Sequence, residues 1–397
     1  MPVFQRADFL IPQKQYLPLW PVIACDQFTS QGDYWKKVAE TVGDAPSSYH
    51  IIFPEAELGE DERERIAQIE RTMVQYLAQK VFCEYPNSYI HVERTLLDGS
   101  VRRGLLGVID LEAYDYRDEA KTPVRATERT VVSRIPPRVK IRAGAPLESS
   151  HVLLFCQDPK DSLFRNTEPG EPLYDLNLMQ GGGRLRGWLI GGEAADRLDR
   201  AIARYEQEAE DGFCYAVGDG NHSLAAAKAC WEEIKKSGGA ALSSHPARWA
   251  MVELENLFDP AQRFEPIHRI VRGVDTQKLL AALQKDSAPL GAPVSWHTKS
   301  ESGFIRFGES ALPADALQRA LDAYLSKEGG SIDYIHGEDV AVSLAEEGGA
   351  VAFILPGIEK EALFGSIARG GVLPRKTFSV GRAEEKRYYL ECRRIKP

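Results

Sequence analysis

Apolar residues recur at three- and four-residue spacing between Glu60 and Lys80, where Ile66, Ile69, Met73, Val74 and Leu77 form one stripe. Such spacing predicts a helix with one face turned to a core. A second helix is expected near Glu193 to Glu210, with Leu198, Ile202 and Tyr205 on one face, and others over Leu224 to Lys236, near 275 to 285 and 312 to 326. Short apolar runs read instead as buried strands: Val22-Ile23-Ala24-Cys25, His151 to Phe155, Phe213 to Val217, Ala247 to Leu254 and Ala350 to Leu355. Between Tyr89 and Tyr114 two strand-like runs flank Leu97-Asp98-Gly99-Ser100, whose Asp-Gly pair supplies the positive φ of a tight hairpin turn. Hairpins interspersed with helices argue for an α+β fold with a mixed sheet and flanking helices, rather than a regularly alternating parallel sheet. No internal repeat is visible.

A chain of 397 residues exceeds one ordinary core. The expected division is residues 1–270 as a site-bearing core with inserted segments and residues 271–397 as a C-terminal α/β portion packing on it. Lys and Arg number 49 against 58 acidic residues, and the net charge of −9 disfavours bulk nucleic-acid binding. Six cysteines are scattered without a Cys-x-x-Cys pair, which fits reduced thiols. The start Met-Pro-Val-Phe-Gln-Arg lacks a basic, then apolar leader, and no run offers the roughly 18 apolar residues of a membrane span. A cytoplasmic protein without membrane contact is expected, and a homo-oligomer is allowed.

Chemistry concentrates in Gly218-Asp219-Gly220-Asn221-His222-Ser223, between a strand and a helix. A helix N-terminus presents unpaired N–H groups and about half a positive charge, so a glycine turn entering a helix can seat an anion. Gly218 and Gly220 permit the turn. Asp219 can hold a divalent metal or accept a proton, Asn221 can bind phosphate or sugar oxygens, and His222 can donate to phosphate or shuttle a proton. Ser223 can touch phosphate. The competing reading is a plain turn with Ser223 capping the helix. The loop lacks the Gly-Lys-Ser ending of a Walker A motif, and Ser223 stands where a dinucleotide fingerprint needs its third glycine.

Five segments together resemble the DUF1015 family: Val22 to Phe28, Arg125 to Thr130, Tyr215 to Ser223, Pro266-Ile267-His268-Arg269, and Leu373-Pro374-Arg375-Lys376-Thr377-Phe378-Ser379. Many members of that family look like Asp-Gly-His-His-Arg at the loop, which is similar to the phosphate-binding turn of the ParB and sulfiredoxin superfamily, ADP-dependent free-serine kinases included. The resemblance implies a ParB/sulfiredoxin-like core and nucleotide chemistry. Asp219 would be the metal or catalytic carboxylate, Gly220 would allow close phosphate approach and His222 would contact phosphate. Asn221 and Ser223 depart from the pattern, and a serine hydroxyl cannot replace a bidentate arginine at 223. Arg125, Arg129, His268, Arg269 and Lys376 are candidates for the missing phosphate or substrate contacts. Asp26 and Glu128 are the candidates for the base.

The function so implied is phosphoryl transfer or phosphate-ester hydrolysis on a small metabolite, serine or phosphoserine by resemblance. Mg²⁺ and ADP or ATP would be the cofactors, and a small phosphorylated metabolite or nucleotide the partner. The alternatives are a nucleotide-sensing or DNA-associated regulator and a metabolite-binding protein without catalysis. His91 and Glu93 stand at metal-ligand spacing on one strand, without a third ligand, and read as a structural pair. The Gly181 to Gly183 loop reads as a surface connector or a lid.

Overall fold

The computed structural model describes the chain apart from residues 1, 30, 59–61, 166, 168–169, 239–241, 286, 309–311 and 375, and apart from the side chain of residue 134. Glu60 and Arg375, named above, therefore lie outside the described residues. The chain divides into two compact units, Met1–Gln262 with Gly381–Pro397, and Arg263–Val380. The sequence placed a boundary after residue 270 and ran the C-terminal portion on to residue 397.

In the first unit the described residues form a thirteen-stranded mixed sheet whose order comes from non-local pairing. Along its main path Tyr114–Asp115, Val124–Ala126, Tyr215–Asp219, Leu153–Cys156, Trp249–Asn256, Val101–Asp110, Phe82–Thr95, Ala7–Pro12, Cys392–Arg394 and Leu147–Ser149 lie side by side. Most neighbours are antiparallel. Tyr215–Asp219 runs parallel to Val124–Ala126, and Leu153–Cys156 runs parallel to Trp249–Asn256. The expected hairpin joins Phe82–Thr95 to Val101–Asp110, with Thr95 opposite Val101.

Period-two alternation gives this sheet two buried faces. Leu106, Val108 and Met251 enter one core with the helices Gly32–Val42 and Glu62–Ala78, through Trp35, Val38, Ile69 and Met73. Leu105, Ile109, Val252 and Leu254 enter another with the helices Gly192–Glu208 and Asn221–Ser237, through Leu198, Ile202, Leu224 and Trp231. Only Val22–Ile23 of the first apolar run is strand; it pairs with Tyr388–Tyr389, and Cys25 and Asp26 stand just beyond it.

The second unit is an antiparallel sheet with helices. The order is Ser302–Arg306, Pro293–His297, Ala350–Ile354, Phe264–Arg272, Ser331–His336, with Phe378–Val380 added beside Phe264–Arg272. Val271, Val351 and Phe353 face the helices Thr276–Lys285 and Pro313–Glu328, while Ile270, Ala350 and Ala352 face Glu338–Glu346 through Ala341 and Ala345. Among the described residues no helix is long and apolar enough to cross a membrane.

Candidate functional site

The glycine loop is a strand-to-helix turn, and its two glycines are required for different reasons. Gly220 has φ 77° and ψ 21°, the left-handed region that L side chains avoid. A Cβ there would also come within 2.9 Å of Val152 Cα and 3.4 Å of His151 Cδ2. Gly218 has no positive φ and makes no turn. A Cβ on it would meet the Phe155 ring at 2.4 Å, so close packing demands that glycine. The helix opens at Asn221 rather than Leu224, and no side chain caps it. This corrects the capping role for Ser223, the third residue of the helix. Asp219 Oδ1 accepts the Gly220 N–H at 2.8 Å, and Thr127 Oγ1 donates to Val217 O at 2.7 Å, pinning the strand end.

A cation from the C-terminal segment meets this turn. Lys386 Nζ lies 3.2 Å from Asp219 Oδ2, with both side chains less than a fifth exposed. The Lys386 charge also reaches Asp26. Burial alone would push the Asp26 carboxyl up, but His151, a hydrogen bond from Gln27, Lys386 and Arg138 outweigh it and hold it below the usual range. Gln27 Nε2 donates to Asp26 Oδ1 at 3.0 Å, and His151 Nε2 stands 3.9 Å from Asp26 Oδ2. His151 Nδ1 is 2.6 Å from the Tyr389 hydroxyl, which donates to Cys25 Sγ at 3.2 Å. Burial, followed by the nearby Asp26 charge, pushes the Cys25 thiol up to about 11, so it is a protonated wall residue and no ready nucleophile.

Beside the turn is a cavity of about 150 Å³ whose polar wall includes Ser223, Cys25, Tyr389 and Arg138. Arg138, in the helix Ile135–Gly144, is ion-paired with Glu55, and its charge also acts on Cys25 and Asp26. Sequence reasoning missed Arg138, Lys386, His151 and Tyr389. The only available signal for Arg138 was its place in the Arg- and Pro-rich stretch from 121 to 150.

The remaining candidates are held in other ways. His222 Nε2 accepts the Val131 N–H at 3.1 Å, which puts the proton of a neutral ring on Nδ1. Asn221 Nδ2 reaches the main-chain oxygen of Glu128 at 3.5 Å, while Asn221 Oδ1 is buried without a hydrogen-bond partner among the described residues. Arg125 is buried, donates to Thr122 O at 2.9 Å and lies 4.3 Å from the Phe213 ring centroid. Arg129 is exposed and pairs with Asp118 at 3.0 Å. The two arginines thus meet different partners. In the second unit His268 is buried, its Nδ1 accepting the Leu355 N–H at 3.2 Å, and burial lowers its pKa. Arg269 is fully buried there, donating to Gln318 Oε1 at 3.0 Å and to Ile267 O, with its guanidinium over the Tyr334 ring. Both fill that unit's own interior. Lys376 belongs to the same unit and has φ 61°.

His91 is a buried structural residue, 2.6 Å from Thr167 Oγ1, and Glu93 pairs with Arg186. The glycine connector is packed rather than loose: Gly182 O accepts from the buried Arg94, and a Cβ on Gly182 would strike the Tyr388 hydroxyl at 2.3 Å. Among the described residues no three His, Cys, Asp or Glu side chains converge as a metal site. Asp219 is a single carboxylate already neutralised by Lys386. That donor set does not fit a protein-held Mg²⁺.

A family model described as "Protein of unknown function (DUF1015)" matches residues 8–339. No curated protein matches the chain. Among solved structures it is similar to a free serine kinase in complex with AMP, at 14% identity over 73% of this chain and 90% of that chain, TM-score 0.37. It is similar also to SbnI with C-terminal truncation from Staphylococcus aureus, at 10% identity over 70% and 82%, TM-score 0.38. A conserved hypothetical protein from Pyrococcus furiosus gives 15% identity over 73% and 94%, TM-score 0.35.

Proposed function

The chain belongs to the DUF1015 family, and from that premise we propose that it transfers or hydrolyses a phosphoryl group on a small metabolite at the Asp219-Gly220 turn. The observation that carries this reading is the meeting of the turn with Lys386, whose ammonium is 3.2 Å from Asp219 and whose charge also acts on Asp26. Phosphate would sit against the first-turn amides of the helix Asn221–Ser237, where unpaired N–H groups and the helix dipole favour an anion. Lys386 supplies the positive charge that Ser223 cannot, at a part-buried position that strengthens the contact, while Arg138, paired with Glu55, adds to the field at Asp26.

Asp26, kept ionised by His151 and the two cations, is the preferred base over Glu128, which offers the loop a main-chain oxygen. His222 then acts as a positioning residue that holds the Val131 segment beside the turn. ADP or ATP would be the phosphoryl donor in a kinase direction, and serine or phosphoserine are the first substrates to try, by resemblance alone. A ParB/sulfiredoxin-like core remains part of this proposal.

Incubating the purified full chain with ADP or ATP and a panel of small alcohols and organic phosphates, serine and phosphoserine included, with phosphate release and nucleotide exchange followed, tests the reading. Turnover that disappears in Asp219→Ala is the expected result, and turnover unaffected by that change defeats it. Binding without turnover would favour a metabolite-binding protein, and salt-sensitive DNA affinity a regulator, which the net charge of −9 disfavours.

A further inference from the structure

The cavity beside the turn differs in character from the turn itself. Ile51, Ile52, Phe53, Met73, Ile141 and Leu147 form its walls, brought together from four separate segments of the first unit. The charged groups in the wall neutralise one another, Arg138 with Glu55 and Arg142 with Glu148. The Ser149 hydroxyl is committed to Glu391 O at 2.8 Å, and that of Tyr389 to Cys25 and His151. Apart from Arg142 Nη2, buried without a hydrogen-bond partner among the described residues, the interior thus offers a polar ligand body few partners. A space of about 150 Å³ lined by aliphatic and aromatic side chains accommodates a body the size of a benzene ring.

Ser223 ties this space to the phosphate turn, because it belongs to the first turn of the helix Asn221–Ser237 and also lines the cavity. Resting on the phosphate reading above, we infer that the substrate is a small organic phosphate, or the alcohol it derives from, whose carbon body is apolar and about six non-hydrogen atoms in size. Its phosphate lies at the turn and its body among Ile51, Phe53, Met73 and Ile141. A hydroxylated or zwitterionic body of serine type would leave its polar groups unpaired among those walls, and that is the costly kind of mismatch.

The test titrates the full chain by calorimetry with inorganic phosphate, O-phosphoserine and phenyl phosphate, in the parent protein and in Ile141→Phe and Leu58→Trp. Leu58 lines the cavity and is 41% exposed, so its replacement carries little folding risk, and a melting curve checks both variants. Phenyl phosphate is expected to bind about tenfold or more tighter than either other probe. The ratio of its affinity to that of inorganic phosphate should fall toward one in the variants. Equal binding of phenyl phosphate and phosphoserine, or a ratio unmoved by both variants, overturns the inference while leaving the phosphate reading intact. If none of the three phosphates binds, the reading itself falls, and the inference with it.

Discussion

The Lys386 ammonium lies 3.2 Å from the Asp219 carboxylate, so a residue of the C-terminal segment completes a turn formed at the end of the strand Tyr215–Asp219. Its neighbour Arg387 cannot stand in, because that guanidinium is buried between Glu253 and Glu391. Lys386→Met is expected to lower kcat/KM for any phosphoryl reaction of this protein by about a hundredfold, the usual scale for removing one electrostatic partner of a developing charge. Lys386→Arg should recover part of the loss. Steady-state kinetics on the two variants, with melting curves alongside, checks this.

Gly220→Ala should destabilise the protein by about 1–3 kcal/mol. The φ of 77° and the 2.9 Å approach to Val152 Cα act together, and Val152 offers main chain rather than a flexible side-chain tip. Gly32, with open space around its would-be Cβ and an ordinary φ at the start of the helix Gly32–Val42, is the control. Gly32→Ala should be neutral or slightly stabilising. Urea unfolding of both variants measures the difference.

The helix Glu62–Ala78, the hairpin through Asp98-Gly99 and the helix after Gly220 were legible because their signals are local: a 3.6-residue period, a turn pair, a strand running into glycine. The return of Gly381–Pro397 to the first unit was not. It rests on pairings such as Leu10 with Cys392 and Val22 with Tyr389, which no window of sequence contains. The same blindness hid Lys386 and Tyr389 from the site, and Arg138, whose helix carries no motif. Arg269 shows the reverse difficulty. Arg269 in a family-like segment reads as a phosphate contact, yet it lies within the strand Phe264–Arg272 with Gln318, Ile267 and Tyr334 around it, and nothing in Pro266-Ile267-His268-Arg269 distinguishes a buried arginine from an exposed one.

His222→Phe should cost about 1–3 kcal/mol, because the Val131 N–H loses the ring nitrogen it donates to at 3.1 Å. If His222 positions the segment rather than contacting phosphate, His222→Gln, which keeps an acceptor, should restore most of the stability and most of the phosphate affinity. A restored fold with phosphate affinity still lost would return His222 to the phosphate itself. Unfolding curves paired with phosphate titration separate the two.

Glu255 gives the clearest pH dependence. It is fully buried, with Oε1 2.9 Å from Arg102 Nε and Oε2 accepting from Gln262. Its carboxyl is raised to about 7, by burial first and by the Glu253 and Asp259 charges, against the pull of Arg102 and Gln262. From the ordinary 4.5 to about 7 the folded state therefore holds a proton that the unfolded chain has released. More protons bound in the folded state means stability falls as pH rises through that window, by an amount on the order of 3 kcal/mol for this group. Asp26 and Glu148 do not mask the trend, since carboxyls held below the usual range have given their full contribution above it. His50 and His268, lowered by burial, act in the opposite direction between their folded and ordinary values. The Glu255 share is therefore read as a difference. Urea unfolding from pH 5 to 8 in the parent and in Glu255→Gln should show the variant gaining stability relative to the parent as pH rises. Parallel curves would mean that Arg102 keeps Glu255 ionised throughout.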